Sequence, residues 1–467
     1  MNFYEETRTC LESVIRWSEI IVNIRHIALD LLLRIEKQGS FSHLLISNTL
    51  QKKKLTNVDE KLLTELVYGT LERKLTLDYY LEHFVQKRKK IEDWVWMLLR
   101  LSVFQIVYLE KVPEYAIINE AVEIAKKRGH KGVTSFVNGV LRNVVRNGVP
   151  DFSTIENPLK RLAIETSHPE WLIERWVTQF GFDVTEKMCK ANLERKPVSI
   201  RVNRIRMTRD ELIDKLQNQG ISATFSKYTN DGIIIQDGNV LKTDYIDKGY
   251  ATIQDQSSML AVLSLQIEPN MKVLDTCSAP GGKATYIGEL MNNTGEIYAY
   301  DLHQNKTKLI EKNAERLGLT NIKVGQHDAR KLQSTHPEKS FDRILIDAPC
   351  SGLGVIRTKP DIKYEKELKD IEKLHEVQFS ILEHVAPLLK DDGKLIYSTC
   401  TVEKLENDEV IKKFLNNNEH FEVDQTFLNE MKQIAIEDIA ISEFGVQIFP
   451  HSINSDGFYI SRIVRKG

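Results

Sequence analysis

Val273-Leu274-Asp275-Thr276-Cys277-Ser278-Ala279-Pro280-Gly281-Gly282-Lys283 is the stretch whose reading decides the fold. A short apolar run stops at an acid, turns through a Pro-Gly-Gly and enters a helical pattern. An open parallel sheet presents ligands this way, at the carboxyl ends of buried strands. The glycines admit close approach of a ligand to a helix N-terminus. Two familiar loops are excluded. The stretch lacks the G-x-G-x-x-G spacing of a dinucleotide site, and Gly281-Gly282-Lys283 has neither the spacing nor the following hydroxyl of a P-loop.

Outward from this stretch the text alternates strand and helix. Strands are expected at Val273–Asp275, Ile297–Asp301, Ile322–Val324, Ile344–Asp347 and Leu395–Ser398, with helices from Gly282, near Lys306–Leu317, and before Leu389. Val446–Phe449 and Phe458–Val464 read as an antiparallel closing pair. Residues 251–467 are thus expected to form a Rossmann-like α/β domain.

Several strand ends carry chemistry. Asp301 has the position of a ribose acceptor, and Asp328 follows the third strand. Asp347-Ala348-Pro349-Cys350, continued by Ser351-Gly352-Leu353-Gly354, presents a carboxylate and a thiol on a loop stiffened by one proline. Ser398-Thr399-Cys400 ends the neighbouring strand with a second thiol. Each residue alone also has a plain structural reading: a helix cap for Asp301, a turn for Asp328, small buried filler for either cysteine.

The formal charge of −2 hides an asymmetry. Residues 23–150 hold 21 Lys and Arg against 14 Asp and Glu, whereas residues 251–467 hold 26 against 33. A basic module precedes an acidic one, either a nucleic-acid footprint or solvated helix faces. The basic module reads as a helical bundle broken at Gly39-Ser40, Lys111-Val112-Pro113 and Gly129-His130-Lys131-Gly132. Its cations cluster at Lys52-Lys53-Lys54, Lys87-Arg88-Lys89-Lys90 and Lys126-Lys127-Arg128 with Lys131. Such clusters at helix ends complement the macrodipole or contact phosphates.

A boundary is expected near 150–165, and residues 151–250 read as a linker and a small α+β connector. Strands at Val198–Asn203 and Ile233–Ile235 flank a helix over Arg209–Gln219. Arg201, Arg204, Arg206 and Arg209 of this connector face either an RNA backbone or solvent. Residues 1–22 form an extension with no assigned role. The five cysteines are widely spaced without a C-x-x-C pair, so neither disulfides nor zinc are expected, and His303, His327 and His336 lack ligand spacing. With no apolar run of about 20 residues and an acidic start, the expectation is a cytoplasmic protein without membrane contact, monomeric by default.

Taken together, Ala279-Pro280-Gly281-Gly282-Lys283, Asp347-Ala348-Pro349-Cys350 and Ser398-Thr399-Cys400 resemble the S-adenosylmethionine-dependent RNA cytosine-5 methyltransferases of the RsmB/NOP family. Arg25-His26-Ile27-Ala28-Leu29-Asp30-Leu31-Leu32, Asn119-Glu120-Ala121-Val122 and Phe136-Val137-Asn138-Gly139-Val140-Leu141-Arg142 are similar to a NusB-like RNA-binding domain, which marks the Sun/Fmu type. The resemblance covers residues 23–467. It departs at Ser278, where the family has Ala, and at Arg357-Thr358-Lys359-Pro360-Asp361, where it has Arg-Arg-His-Pro-Asp.

The resemblance implies methylation of carbon 5 of one cytosine of 16S ribosomal RNA, cytosine 967 by family expectation. Cys400 would be the nucleophile toward carbon 6, Cys350 would assist release, Asp347 would hold a ring nitrogen and Lys283 would line the site. S-adenosylmethionine would be held by Cys277, Ser278, Ala279, Pro280, Gly281, Gly282, Lys283, Asp301, Asp328 and Asp347, with no metal. Two alternatives remain open: a cytosine of transfer or 23S RNA, and a non-catalytic RNA-binding assembly or antitermination factor.

Overall fold

The structure, a computed structural model, describes residues 23–38, 42–53, 55–434 and 436–466. The extension 1–22, the break at Gly39-Ser40 and Lys54 lie outside these residues. The chain forms two compact units. One holds the described residues up to Ile173 with Lys359–Asp361, and the other holds Glu174–Thr358 and Ile362 onward.

The first unit is all helical: α1 (Ile24–Gln38), α2 (Ser42–Lys52), α3 (Asn57–Glu72), α4 (Lys74–Phe84), α5 (Asp93–Tyr108), α6 (Glu114–Arg128), α7 (Lys131–Asn147) and α8 (Pro158–Glu165). Its organising element is α5, whose sequence DWVWMLLRLSVFQIVY is apolar on every side and is buried from Val95 to Gln105. A helix apolar all round belongs inside a bundle. Its one buried cation, Arg100, is neutralised by Asp78 at 2.6 Å and Glu36 at 3.0 Å. Gly69 on α3 is where a Cβ would lie 2.0 Å from the Phe104 ring, so the two helices approach only because that residue is glycine.

Residues 151–173 belong with this unit, beyond the boundary the sequence suggests. Thr76 Oγ1 donates to the Ile164 carbonyl at 2.6 Å, the Leu75 amide donates to Ser167 Oγ at 2.8 Å, and Phe152 stacks on Tyr79 and Tyr80. Helices α9 (Glu170–Phe180) and α10 (Phe182–Ala191) follow.

The second unit contains two sheets. The smaller is antiparallel in the order β2-β3-β1-β4: β1 (Val198–Val202), β2 (Ser222–Phe225), β3 (Gly232–Asp237) and β4 (Ala251–Ile253), with helix α11 (Arg209–Asn218). The sequence reads two of these strands. The missed ones are three or four residues long, too short to show alternation. Arg201 corrects the expectation for the connector arginines, because it is fully buried and belongs neither to solvent nor to an RNA face. It pairs with Glu289 at 2.9 Å, donates to the Gly282 carbonyl at 2.9 Å and stacks on Tyr286, so it pins this sheet to the helix behind the glycine turn.

The larger sheet has nine strands: β5 (Lys272–Asp275), β6 (Glu296–Asp301), β7 (Ile322–Gln326), β8 (Phe341–Asp347), β9 (Leu389–Thr399), β10 (Phe421–Val423), β11 (Ala440–Ile441), β12 (Val446–Ile448) and β13 (Phe458–Arg465). Their order is β11-β12-β13-β9-β8-β5-β6-β7, with β10 beside β13. Strands β9, β8, β5, β6 and β7 are mutually parallel, while β13 runs antiparallel against β9. The chain departs from β5 to β6 on one side and returns to β8 on the other, which makes the carboxyl end of β5 the topological switch point.

Helices α12 (Gln256–Leu263), α13 (Gly282–Leu290), α14 (Gln304–Leu317), α15 (Ile362–Glu365), α16 (Leu368–Val385), α17 (Asp408–Asn417) and α18 (Gln425–Gln433) complete the unit. The long helix ends at Val385, earlier than its apolar pattern suggests. Pro387 cannot continue it, and Leu389 already opens β9.

Candidate active site

Asp275, the last residue of β5, lies fully buried at the switch point. Among the described residues neither of its carboxylate oxygens has a partner of ordinary hydrogen-bond geometry, and the same holds for Ser278 Oγ. Burial, reinforced by the Asp347 charge, pushes the Asp275 carboxyl up to about 7, against the opposing pull of the nearby Ser278 hydroxyl and Lys283.

The turn that follows is tied from both sides. The Thr276 amide donates to the Leu345 carbonyl at 3.1 Å, the Ser278 amide to the Tyr300 carbonyl at 2.8 Å, and the Gly281 amide to the Ser278 carbonyl at 2.7 Å. Gly281 adopts φ +99°, and a Cβ there would sit 3.1 Å from the Ile310 backbone, so conformation and space both require glycine. Burial pushes the Cys277 thiol up to about 12, which makes it a wall of the turn and not a thiolate.

Lys283, in the first turn of α13, reaches across to β8. Its Nζ donates to Asp347 Oδ2 at 2.6 Å and lies 5.2 Å from the Phe458 ring centre. Burial draws the ammonium pKa down, but the Asp347 charge and hydrogen bond outweigh it and leave the group above its ordinary value. Asp347 Oδ1 accepts from Ser398 Oγ at 2.9 Å. That bond follows from register: Asp347 and Ser398 are paired across β8 and β9, so their side chains share a face.

The two thiols meet just beyond the ends of the same two strands, with Cys350 Sγ and Cys400 Sγ 3.3 Å apart and both half-buried. The Cys400 thiol, then burial, pushes Cys350 well above the ordinary thiol range. Gly354 closes this corner. Its amide donates to the Cys400 carbonyl at 3.0 Å, and its carbonyl accepts from the Gly457 amide at 2.8 Å. Lys196 holds the Gly457 segment by pairing with Asp456 at 2.6 Å and Asp255 at 2.7 Å, while Arg357 donates to the Pro450 carbonyl at 3.4 Å.

Asp301 ends β6, 8 % exposed, with Oδ1 accepting the His303 amide at 3.0 Å. The N-cap of α14 is His303, so Asp301 is not the cap its sequence position would also allow. Asp328 is engaged as a turn residue. It caps the short 3-10 helix Ala329–Ser334 and pairs with Arg330 Nη2 at 2.7 Å.

The structure therefore places the glycine turn, Lys283, Asp347, Cys350 and Cys400 at one sheet edge, with Asp301 at the end of the adjacent β6. Sequence reasoning gave no role in the site to Ser398, Phe458, Gly354 and Glu406, which frame these residues. For Ser398 the signal was available in the strand pairing; for the other three none was, because their contacts do not run through paired strands. Among the described residues no group of three or more His, Cys, Asp or Glu could hold a metal ion, and no helix is long and apolar enough to cross a membrane.

Residues 262–464 match the family described as 16S rRNA methyltransferase RsmB/F, residues 22–146 the NusB family, and residues 168–241 a RsmF/B-like ferredoxin-like domain. The chain is 46% identical over 445 residues to the probable ribosomal RNA small subunit methyltransferase B of Bacillus subtilis, covering 95% of this chain and 99% of that protein. It is 31% identical over 447 residues to the corresponding protein of Synechocystis, covering 95% and 99%. The crystal structure of PH0851 superposes with a TM-score of 0.77 at 25% identity, covering 94% of this chain and 98% of that one.

Proposed function

The chain belongs to the 16S rRNA methyltransferase RsmB/F family, and from that premise we propose that it methylates carbon 5 of a cytosine in 16S ribosomal RNA through a covalent adduct on Cys400. As a member it is an S-adenosylmethionine-dependent RNA methyltransferase. The observation that carries the finer reading is the pair of thiols 3.3 Å apart, Cys350 three residues beyond Asp347 and Cys400 two beyond Ser398, the carboxylate–serine pair on adjacent strands.

The residues at the switch point fit the methyl donor. The turn 277–283 offers a backbone without bulk at Gly281 and Gly282, and the buried oxygens of Asp275 and Ser278 that lack ordinary partners are what a polar ligand would satisfy. Cys277, Ser278, Ala279, Pro280, Gly281, Gly282, Lys283, Asp301 and Asp347 would hold it, and Asp328 would join them only by sharing its carboxylate with Arg330. When bound, the donor supplies an electrophilic methyl carbon on a sulfonium.

The remaining work falls to side chains. Carbon 5 of cytosine is a weak nucleophile until something adds at carbon 6. Cys400, as thiolate, forms that bond, and the displaced electron pair is shared between ring nitrogen 3 and carbon 5. Asp347, oriented by Lys283 and Ser398, holds a proton at nitrogen 3. After methylation Cys350 removes the proton from carbon 5, the carbon 6–sulfur bond breaks, and Cys400 leaves as thiolate. The base must be unstacked to reach this edge.

Exposed Lys87, Lys89, Lys90, Lys127 and Lys131 on the helical unit would contact RNA phosphates. The test is transfer of label from S-adenosylmethionine to 16S RNA followed by nucleoside analysis and mapping. Label in 5-methylcytosine at one site supports the reading. Label in another nucleoside, or only in transfer or 23S RNA, overturns it.

A further inference from the structure

The loops that carry the two thiols are tied together from below by one buried carboxylate. Glu406, in the short 3-10 helix Lys404–Glu406, is fully buried. One oxygen accepts the Ser351 amide at 2.8 Å and Gln378 Nε2 at 2.9 Å; the other accepts the Ser351 hydroxyl. Ser351 follows Cys350, and its hydroxyl also meets Thr401 Oγ1 at 2.9 Å, the residue after Cys400.

The surroundings fix where that carboxylate sits. Tyr397 donates to the Glu406 carbonyl at 2.6 Å, and Asn407 bonds Thr399 Oγ1 at 2.6 Å and the Thr401 carbonyl at 3.2 Å, so the loop after Cys400 is closed on its own strand. Gln378 on α16 donates in parallel to the Pro349 carbonyl at 2.9 Å, which holds the residue before Cys350. Both neighbours of Cys350 and the residue after Cys400 are therefore referenced to Glu406.

A carboxylate is suited to this in a way an amide is not. It accepts on both oxygens, and three donors converge on it here. An unpartnered buried carboxylate would be costly, so its persistence depends on those donors.

We propose that Glu406 is a positioning residue that sets the separation of the Cys350 and Cys400 thiols and thereby the release half of the reaction. The inference rests on the assignment of Cys400 to attack and Cys350 to release. Cys400 directly follows the last residue of β9, so addition to carbon 6 depends mainly on the strand end; Cys350 lies three residues beyond β8 and is placed by its loop, and proton removal depends on the ties to Glu406.

The test uses the full chain with labelled S-adenosylmethionine and 16S RNA under single-turnover conditions, following adduct formation and adduct resolution separately. Glu406→Gln puts an amide donor against donors. It is expected to form the adduct at near the parent rate and to resolve it roughly ten- to a hundredfold more slowly, the scale of a misplacement of about 1 Å, with KM for RNA unchanged. Ser351→Ala removes the hydroxyl bond and keeps the amide one, and should show the same partition more weakly. It decides the matter alone if Glu406→Gln does not fold. Cys350→Ala is the control for the underlying assignment. If it accumulates no adduct, the roles of the thiols are wrong. If it accumulates adduct while Ser351→Ala and a folded Glu406→Gln resolve theirs at the parent rate, or lose formation and resolution in equal measure, the inference about Glu406 falls by itself.

Discussion

Cys350 Sγ and Cys400 Sγ stand 3.3 Å apart, fifty positions separated in sequence, because β8 and β9 are parallel neighbours in register. Parallel register is what lets two loops leave the same edge side by side. An acid and a serine share one face just before that edge, so one pairing of strands brings Asp347, Ser398 and both thiols into a single corner.

From this separation the two cysteines are expected to fail differently. Cys400→Ala should lower methyl transfer by roughly a thousandfold or more, since nothing else adds to carbon 6. Cys350→Ala should retain attack and leave protein joined to RNA. Denaturing gels of the labelled complex read the difference. Equal loss without adduct in both variants would remove the division of labour.

Asp275 predicts a pH dependence of stability. An acid whose pKa is 3.8 unfolded and about 7 folded binds its proton more tightly in the fold, so its ionisation costs stability. The cost is absent below the unfolded value, grows as pH rises between the two, and is complete above about 7, on the order of a few kcal/mol. Urea melts at pH 5 and pH 8 should show the parent losing more stability on going up than Asp275→Asn. Parallel behaviour of the two proteins would refute the shift. A bound ligand that satisfies Asp275 should reduce the slope.

Arg201 and Glu289 are both fully buried and paired at 2.9 Å. Breaking a buried pair from one side leaves the other charge uncompensated, so Arg201→Met should cost about 3–5 kcal/mol, whereas Arg201→Met combined with Glu289→Leu should cost distinctly less. A double-mutant cycle by chemical denaturation measures this. Additive losses would mean that the pair is not coupled.

Gly354→Ala should disable the site at moderate cost to the fold. The added methyl would sit 2.0 Å from the Gly457 carbonyl oxygen and 2.8 Å from that of Cys400, both backbone atoms that cannot rotate away. Overpacking of this kind costs about 1–3 kcal/mol. Because the Gly354 amide bonds the Cys400 carbonyl, methyl transfer should fall more steeply than stability does. A variant with parent activity would show that the loops adjust freely.

The sequence alone was enough for the alternation of strand and helix after Tyr250, the glycine turn and the two thiol-bearing strand ends, since each is written in a local pattern of hydrophobicity or turn chemistry. The helical unit was equally legible, although its limit was not. Residues 151–173 join it through side chains such as Ser167 that bond Leu75, and no local pattern announces a contact across ninety-two positions. Arg201 was misread for the same reason. An arginine in a short strand looks solvated until its distant acid, Glu289, is brought against it. Glu406 is the extreme case: a glutamate among charged residues in sequence, it becomes a buried three-donor anchor only when the loops after β8 and β9 are stacked. Local periodicity determined which elements form and where their chemistry ends. Tertiary packing decided which charges lose their water, and with that which of them hold the thiols in place.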